Sequence, residues 1–106
     1  MTKLTAIIPA GNEIHNIESV IKSVSFADEV LVVDSFSSDG TYEIAKKLAT
    51  KVIRRDYEYS ASQKNWAIPQ AAHDWILLVD ADERVTPELK NEIVLLLQNP
   101  PQDIAA

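Results

Sequence analysis

Asp80 and Asp82 stand two residues apart directly after the apolar run Trp75-Ile76-Leu77-Leu78-Val79. In an extended backbone, side chains at that spacing leave the chain on the same side, so the pair forms a site of hard oxygen donors. Such a site suits Mg²⁺ or Mn²⁺, which keep some of their water and complete their shells with phosphate oxygens of a substrate. In a chain with 16 acidic residues the tripeptide has little specificity by itself. Acids ahead of a helix also favour the helix dipole, so only the position after a buried strand singles this pair out. Asp34 stands at the end of a second apolar run, Val30 to Val33, where a carboxylate can accept hydrogen bonds from a base N–H or a ribose hydroxyl. Asn12 and Glu13 follow the first apolar run and read either as ligand contacts or as caps of the next helix. Ser37, Ser38 and Asp39 read as helix caps. Lys64 reads as a solvated lysine or as a point charge directed at a phosphate. His15 and His73 have no metal-ligand spacing around them, and Trp66 and Trp75 read as core aromatics.

These residues need elements to hold them. Leu4–Ile8, Val30–Val33, Lys51–Arg54 and Trp75–Val79 are short runs that suit strands buried on both faces of a parallel sheet. Ile17, Val20, Ile21 and Val24 recur at the spacing of one helix face, with Asn16 or Asn12 as N-cap. A second helix starts within Ser38-Asp39-Gly40 and buries Ile44, Ala45, Leu48 and Ala49. A third, around Ala61 to Ile68, ends at Pro69. Thr86-Pro87-Glu88 combines a hydroxyl N-cap, proline in the first turn and an acid beside it. It opens a fourth helix with Leu89, Ile93, Leu96 and Leu97 on one face. Strand and helix alternate four times, which predicts an α/β fold, a Rossmann-like parallel sheet with right-handed helical crossovers. Such sheets bind ligands beyond the carboxyl ends of their strands, where the candidate residues stand.

The bulk properties narrow the chemistry further. A chain of 106 residues makes one domain. A net charge of −6 argues against a nucleic-acid partner held by phosphate neutralisation, so an anionic ligand must be bound with local help such as a cation. The lack of cysteine excludes disulfides and thiolate zinc sites. The first apolar run is too short for a signal peptide or a membrane span, which makes the cytosol the expected compartment. With only Gly11 and Gly40 in the chain, the glycine-rich loops of dinucleotide-binding and P-loop enzymes are excluded. Two other readings remain. One is a Mg²⁺-dependent phosphotransfer module, whose acids would cluster after the first strand. The other is a nucleotide-binding or assembly module without turnover.

Taken in order, the segments IIPAGNE, VVDSFSSDGT, SQKNWA and WILLVDADERV resemble the family 2 glycosyltransferases, whose nucleotide-binding domain has the GT-A fold. The likeness runs from Leu4 to Leu97. The DSFSSDGT, QKNWA and DADERVTPEL segments are most similar to the bacterial lipopolysaccharide-core glucosyltransferase type. The resemblance implies transfer of a sugar, with inversion, from a UDP-hexose to a glycan or glycolipid acceptor, with Mg²⁺ or Mn²⁺ as cofactor. It implies a nucleotide pocket lined by Pro9, Asn12, Glu13 and Asp34, with Lys64 as the basic position of the third helix. Asp80 would lie nearer the ribose and Asp82 would ligate the metal. The cation then offsets the charge that develops on the departing nucleoside diphosphate. Gly11 departs from a base-stacking tyrosine that many members carry. The resemblance also implies a cytoplasmic protein able to associate peripherally with the inner membrane face. Residues 4–98 are expected to form the nucleotide-sugar-binding part and residues 99–106 a tail or truncation point. The general base and acceptor loops are expected beyond Ala106, so that this stretch alone binds a donor without transferring its sugar and leaves part of the sheet uncovered.

Overall fold

The alternating periodicities close into one layered α/β unit in the computed structural model, which describes residues 2–56 and 60–99. The elements are β1 (Leu4–Ala10), α1 (Ile17–Ser23), β2 (Glu29–Asp34), α2 (Thr41–Leu48), β3 (Lys51–Arg54), α3 (Ser60–Ala67), β4 (Trp75–Leu78) and α4 (Pro87–Gln98). All strand pairs are parallel and the sheet order is β3-β2-β1-β4. The chain builds outward from β1 to β3 and then returns to place β4 on the other side of β1. The order therefore reverses between β1 and β4, and the crevice at the carboxyl ends of those two strands is the place where such sheets take ligands.

Strand alternation divides the core into two faces. Ala6, Ile8, Ala10, Val30 and Val32 face Ile17, Val20, Ile21 and Val24 of the α1 stripe and Ala45 of α2. Ile7, Leu31 and Val33 face the other way, toward Ala67 of α3 with Trp66 and Ile76 packed around it. Each fully buried aliphatic side chain of this size is worth about 1.5–3 kcal/mol relative to an exposed one, so the α1 stripe is a principal clamp on the sheet. Buried Glu29 was not singled out by its sequence context. Its Oε1 accepts from Thr5 Oγ1 at 2.8 Å and from the Ala72 N–H at 2.9 Å, joining β1 to the approach to β4.

Burial on both faces holds for β1 and β2 only. Strands β3 and β4 are the two edges, each with one hydrogen-bonded neighbour, and are only partly covered. Three expected core leucines, Leu48, Leu89 and Leu96, are exposed. Leu48 is the last residue of α2, beside edge strand β3. Helix α4 follows the edge strand β4 and reaches the core through Ile93 and Leu97, which leaves Leu89 and Leu96 beyond the covered part of the sheet.

The helix starts follow local chemistry. Thr86 Oγ1 accepts from the Leu89 N–H and Pro87 occupies the first turn of α4, as read from sequence. Pro69 ends α3 through a 3₁₀ turn at Ile68–Gln70. Asn16 is the N-cap residue of α1 but makes no side-chain cap bond. Gly40 precedes α2 with φ 99°, and a Cβ there would lie 2.8 Å from Ile14 Cδ1. Gly40→Ala should therefore destabilise the fold by at least the roughly 1–2 kcal/mol that a left-handed backbone costs an L-residue. The measurement is the urea midpoint, and an unchanged midpoint would mean that the turn relaxes freely.

Candidate functional site

The segments leaving β1 and β2 are tied into one unit at the carboxyl edge of the sheet. Asn12 adopts a left-handed backbone, φ 53°, which asparagine tolerates better than most residues. Its N–H donates to Ser37 Oγ at 2.9 Å and its Oδ1 accepts from the Ser38 N–H at 2.8 Å. The Glu13 N–H donates to Thr41 Oγ1 at 2.9 Å and the Ile14 N–H to Asp39 Oδ2 at 3.1 Å. The Glu13 carbonyl accepts from the N–H groups of Asn16 and Ile17, and its carboxylate accepts from Asn16 Nδ2. The side chain of Asn12 thus clamps the β2–α2 loop instead of capping α1, and Glu13 opens α1 through its carbonyl. None of the three residues read as caps is the N-cap of α2, which is Gly40 without a side-chain cap bond; Asp39 stands one residue earlier and bonds Thr41 from there. Its Oδ1 accepts from the Thr41 N–H at 3.0 Å and from Thr41 Oγ1 at 2.5 Å.

Asp34, expected to contact the nucleoside, is engaged by its own loop. It is fully buried, with Oδ1 accepting from Ser37 Oγ at 2.6 Å, Oδ2 accepting from the Ser37 N–H at 3.0 Å, and Arg54 Nε 3.4 Å away. A carboxylate at the end of a strand buried on both faces has lost its water, and donors and an opposite charge must replace it. Asp34 therefore fixes the loop that carries Ser35 and Phe36 and presents no exposed oxygen of its own. Arg54 in turn lies 3.4 Å from the Tyr42 ring centroid and 5.6 Å from that of Phe36. Pro9 is half-buried within β1. Lys64 belongs to α3, and its side chain lies outside the described residues, as do residues 57–59 and 100–106.

At β4 the ladder runs one residue past the strand, the Val79 N–H donating to the Ile7 carbonyl at 3.0 Å. The chain then turns, so the extended geometry expected for Asp80 and Asp82 is replaced. The Glu83 N–H donates to the Asp80 carbonyl and the Asp80 N–H to Glu83 Oε1. Ala81 is buried, and the aspartates on either side of it are both exposed. Arg84 holds the turn from below, donating to the carbonyls of Ala81 and Glu83 and, at 2.9 Å, to Asn16 Oδ1 beside the start of α1. Sequence reasoning missed Arg84 and Arg54; a basic residue next to an acidic cluster was the available signal for the first. Among the described residues no group of three or more His, Cys, Asp or Glu is placed to hold a metal ion. The concavity lined by Lys3, Ala72, His73, Asp74 and Trp75 is at the amino ends of β1 and β4, opposite this site.

Comparison with known proteins decides the family. The family described as "Glycosyl transferase family 2" matches residues 5–106. The chain belongs to this family. It is 41% identical over 104 residues to an "Uncharacterized glycosyltransferase" of Rickettsia felis, covering 97% of this chain and 37% of that protein. It is 34% identical over 99 residues to the lipopolysaccharide core biosynthesis glycosyltransferase LpsC of Rhizobium meliloti, covering 89% of this chain and 37% of the relative. The fold matches glucosyl-3-phosphoglycerate synthase of Mycobacterium tuberculosis, solved with Mn²⁺, UDP and glucosyl-3-phosphoglycerate. There the TM-score is 0.71 at 24% identity, over 93% of this chain and 41% of the other. This family 2 chain has the expected GT-A architecture and spans well under half the length of each of these proteins.

One titratable group reports on the loop clamp. The hydrogen bond from the Thr41 hydroxyl, joined by the backbone N–H groups of Thr41 and Ile14, holds the Asp39 carboxyl below its ordinary value despite partial desolvation. A carboxyl with a depressed folded-state pKa contributes stability above its unfolded pKa and loses it as pH falls through the folded value. Unfolding free energy should therefore decline on acidification through and below the usual aspartate range. Asp39→Asn should be less stable at neutral pH and show a shallower decline. Parallel urea titrations of both proteins check this, and identical pH profiles would contradict it.

Proposed function

We propose that this chain carries the donor-binding part of a glycosyltransferase that uses a uridine diphosphate sugar with Mg²⁺ or Mn²⁺ and delivers the sugar, with inversion, to a glycan of the lipopolysaccharide-core class. The observation that carries the reading is the pair of exposed carboxylates, Asp80 and Asp82, at the carboxyl end of β4, across the strand-order reversal from Asn12 and Glu13. On a chain of net charge −6, a diphosphate is not expected to settle beside two aspartates without a cation. Two carboxylates, water and phosphate oxygens are a suitable shell for Mg²⁺ or Mn²⁺, so the residues fit the cofactor. When bound, the ion supplies Lewis-acid stabilisation of the leaving diphosphate.

In this reading Asp82 is the principal metal ligand, and Asp80 completes the carboxylate pair on the side toward the ribose. Pro9, Asn12 and Glu13 form the wall along β1, with Lys64 of α3 as a further charge for the phosphates. Asp34 supports the nucleoside end from behind by holding its loop. The UDP and Mn²⁺ bound to the mycobacterial synthase support the donor class, and the likeness to LpsC supports the acceptor class. No helix among the described residues is long and apolar enough to cross a membrane, and work on a lipid-linked acceptor would call for peripheral association with the cytoplasmic face. Asp82→Ala should abolish the Mn²⁺-dependent part of UDP binding in calorimetry while leaving the thermal unfolding midpoint unchanged, since the residue is exposed. Wild-type affinity of the variant in Mn²⁺ would overturn the metal assignment.

A further inference from the structure

We infer that Phe36 is the surface on which the nucleobase of the donor stacks, and so a determinant of nucleotide selectivity; the inference rests on the donor reading above. Three observations carry it. First, Phe36 has φ 52°, a left-handed backbone that strains a bulky L-residue and that glycine would adopt without strain. Second, the side chain does not offset that strain by burial, because Phe36 remains 54% exposed at the carboxyl edge of the sheet. A strained backbone that presents an exposed aromatic ring is a feature of ligand sites. Third, the ring is held and oriented. Asp34 and Ser37 fix the loop on either side of it, and Arg54 lies over the ring at 5.6 Å. Arg54 does not need Phe36 for its own position, since it already packs at 3.4 Å on Tyr42 and pairs with Asp34.

The strand order selects a base, and not the transferred sugar, as the stacked group. Neighbouring strands lie about 4.8 Å apart, so the ends of β2 and β4, with β1 between them, are about 10 Å apart. A ribose and a phosphate can bridge that gap. With the diphosphate at Asp80 and Asp82, the nucleoside extends across β1 toward Phe36, and the sugar leaves in the other direction. Gly11 lies between and is exposed; having no side chain, it leaves the surface beside Ser35 open.

The test compares wild type with Phe36→Gly, Phe36→Ala and Phe36→Tyr, titrated with UDP and, separately, with inorganic pyrophosphate, each in Mn²⁺. Stacking on an aromatic side chain is worth enough that its loss should weaken UDP binding about tenfold or more in the glycine and alanine variants. Pyrophosphate affinity should be unchanged, and tyrosine should retain UDP affinity. Phe36→Gly should also raise the thermal midpoint by relieving the backbone, so stability and affinity move in opposite directions. UDP affinity unchanged in Phe36→Gly overturns the stacking role and leaves the donor reading standing. An equal loss for UDP and pyrophosphate also overturns it, by showing a general effect on the site. A wild type that binds neither ligand overturns both readings.

Discussion

The buried carboxylate of Asp34 is the constraint on which the site depends. At the end of a strand with no exposed residue, it must find donors within the protein, and it finds them by drawing the Ser37 N–H and hydroxyl back onto the strand end and Arg54 across from β3. Leaving such a group unsatisfied would cost about 1–3 kcal/mol or more, so the loop conformation is coupled to the core. Ser37 and Ser38 then engage Asn12, and Asp39 engages Ile14 and Thr41, which joins the first two strand-end loops. The outer surface of that unit displays Asn12 and Phe36 in left-handed backbone conformations. Strain of this kind persists only where the surrounding bonds over-determine it.

The strand order supplies the other half of the arrangement. Because β4 returns to the far side of β1, the acidic turn at Asp80–Glu83 lies across β1 from the β2–α2 loop. Arg84 couples the turn to Asn16 at the start of α1, and the Val85 N–H donates to Ser23 Oγ at its end. The β4 turn is thereby tied to both ends of α1, whose apolar stripe is fully packed. An acidic protein can hold an acidic ligand on such an edge when a cation mediates at one end and stacking and polar contacts serve the other.

Much of the fold was legible because its signals are local. The α1 stripe, the Thr86-Pro87 helix start and the β-branched strands each reflect steric or hydrogen-bonding preferences of neighbouring residues. What was not legible depends on strand order, which periodicity does not encode. Nothing in Trp75–Leu78 marks β4 as an edge, so its burial and that of Leu89 and Leu96 were overestimated. In the candidate site, the exposure of Asp80 and Asp82 was legible from their place after a strand, while the turn that presents them was not. Asp34 was recognised as important for its position, but a strand-end carboxylate can face a ligand or its own loop with the same local sequence. Phe36 carried no warning, since a left-handed phenylalanine is visible only in the backbone.

The central claim is that a single ligand spans the carboxyl edge from the β2 loop to the β4 turn. Amide NMR of the ¹⁵N-labelled chain, titrated with UDP in Mg²⁺ and then with a trace of Mn²⁺, tests it most directly. The expected result is a set of shifts at Gly11–Glu13 and Ser35–Ser38, with paramagnetic broadening centred on Asp80–Glu83. Shifts and broadening concentrated instead at Lys3 and Ala72–Trp75, on the amino edge of the sheet, would contradict it.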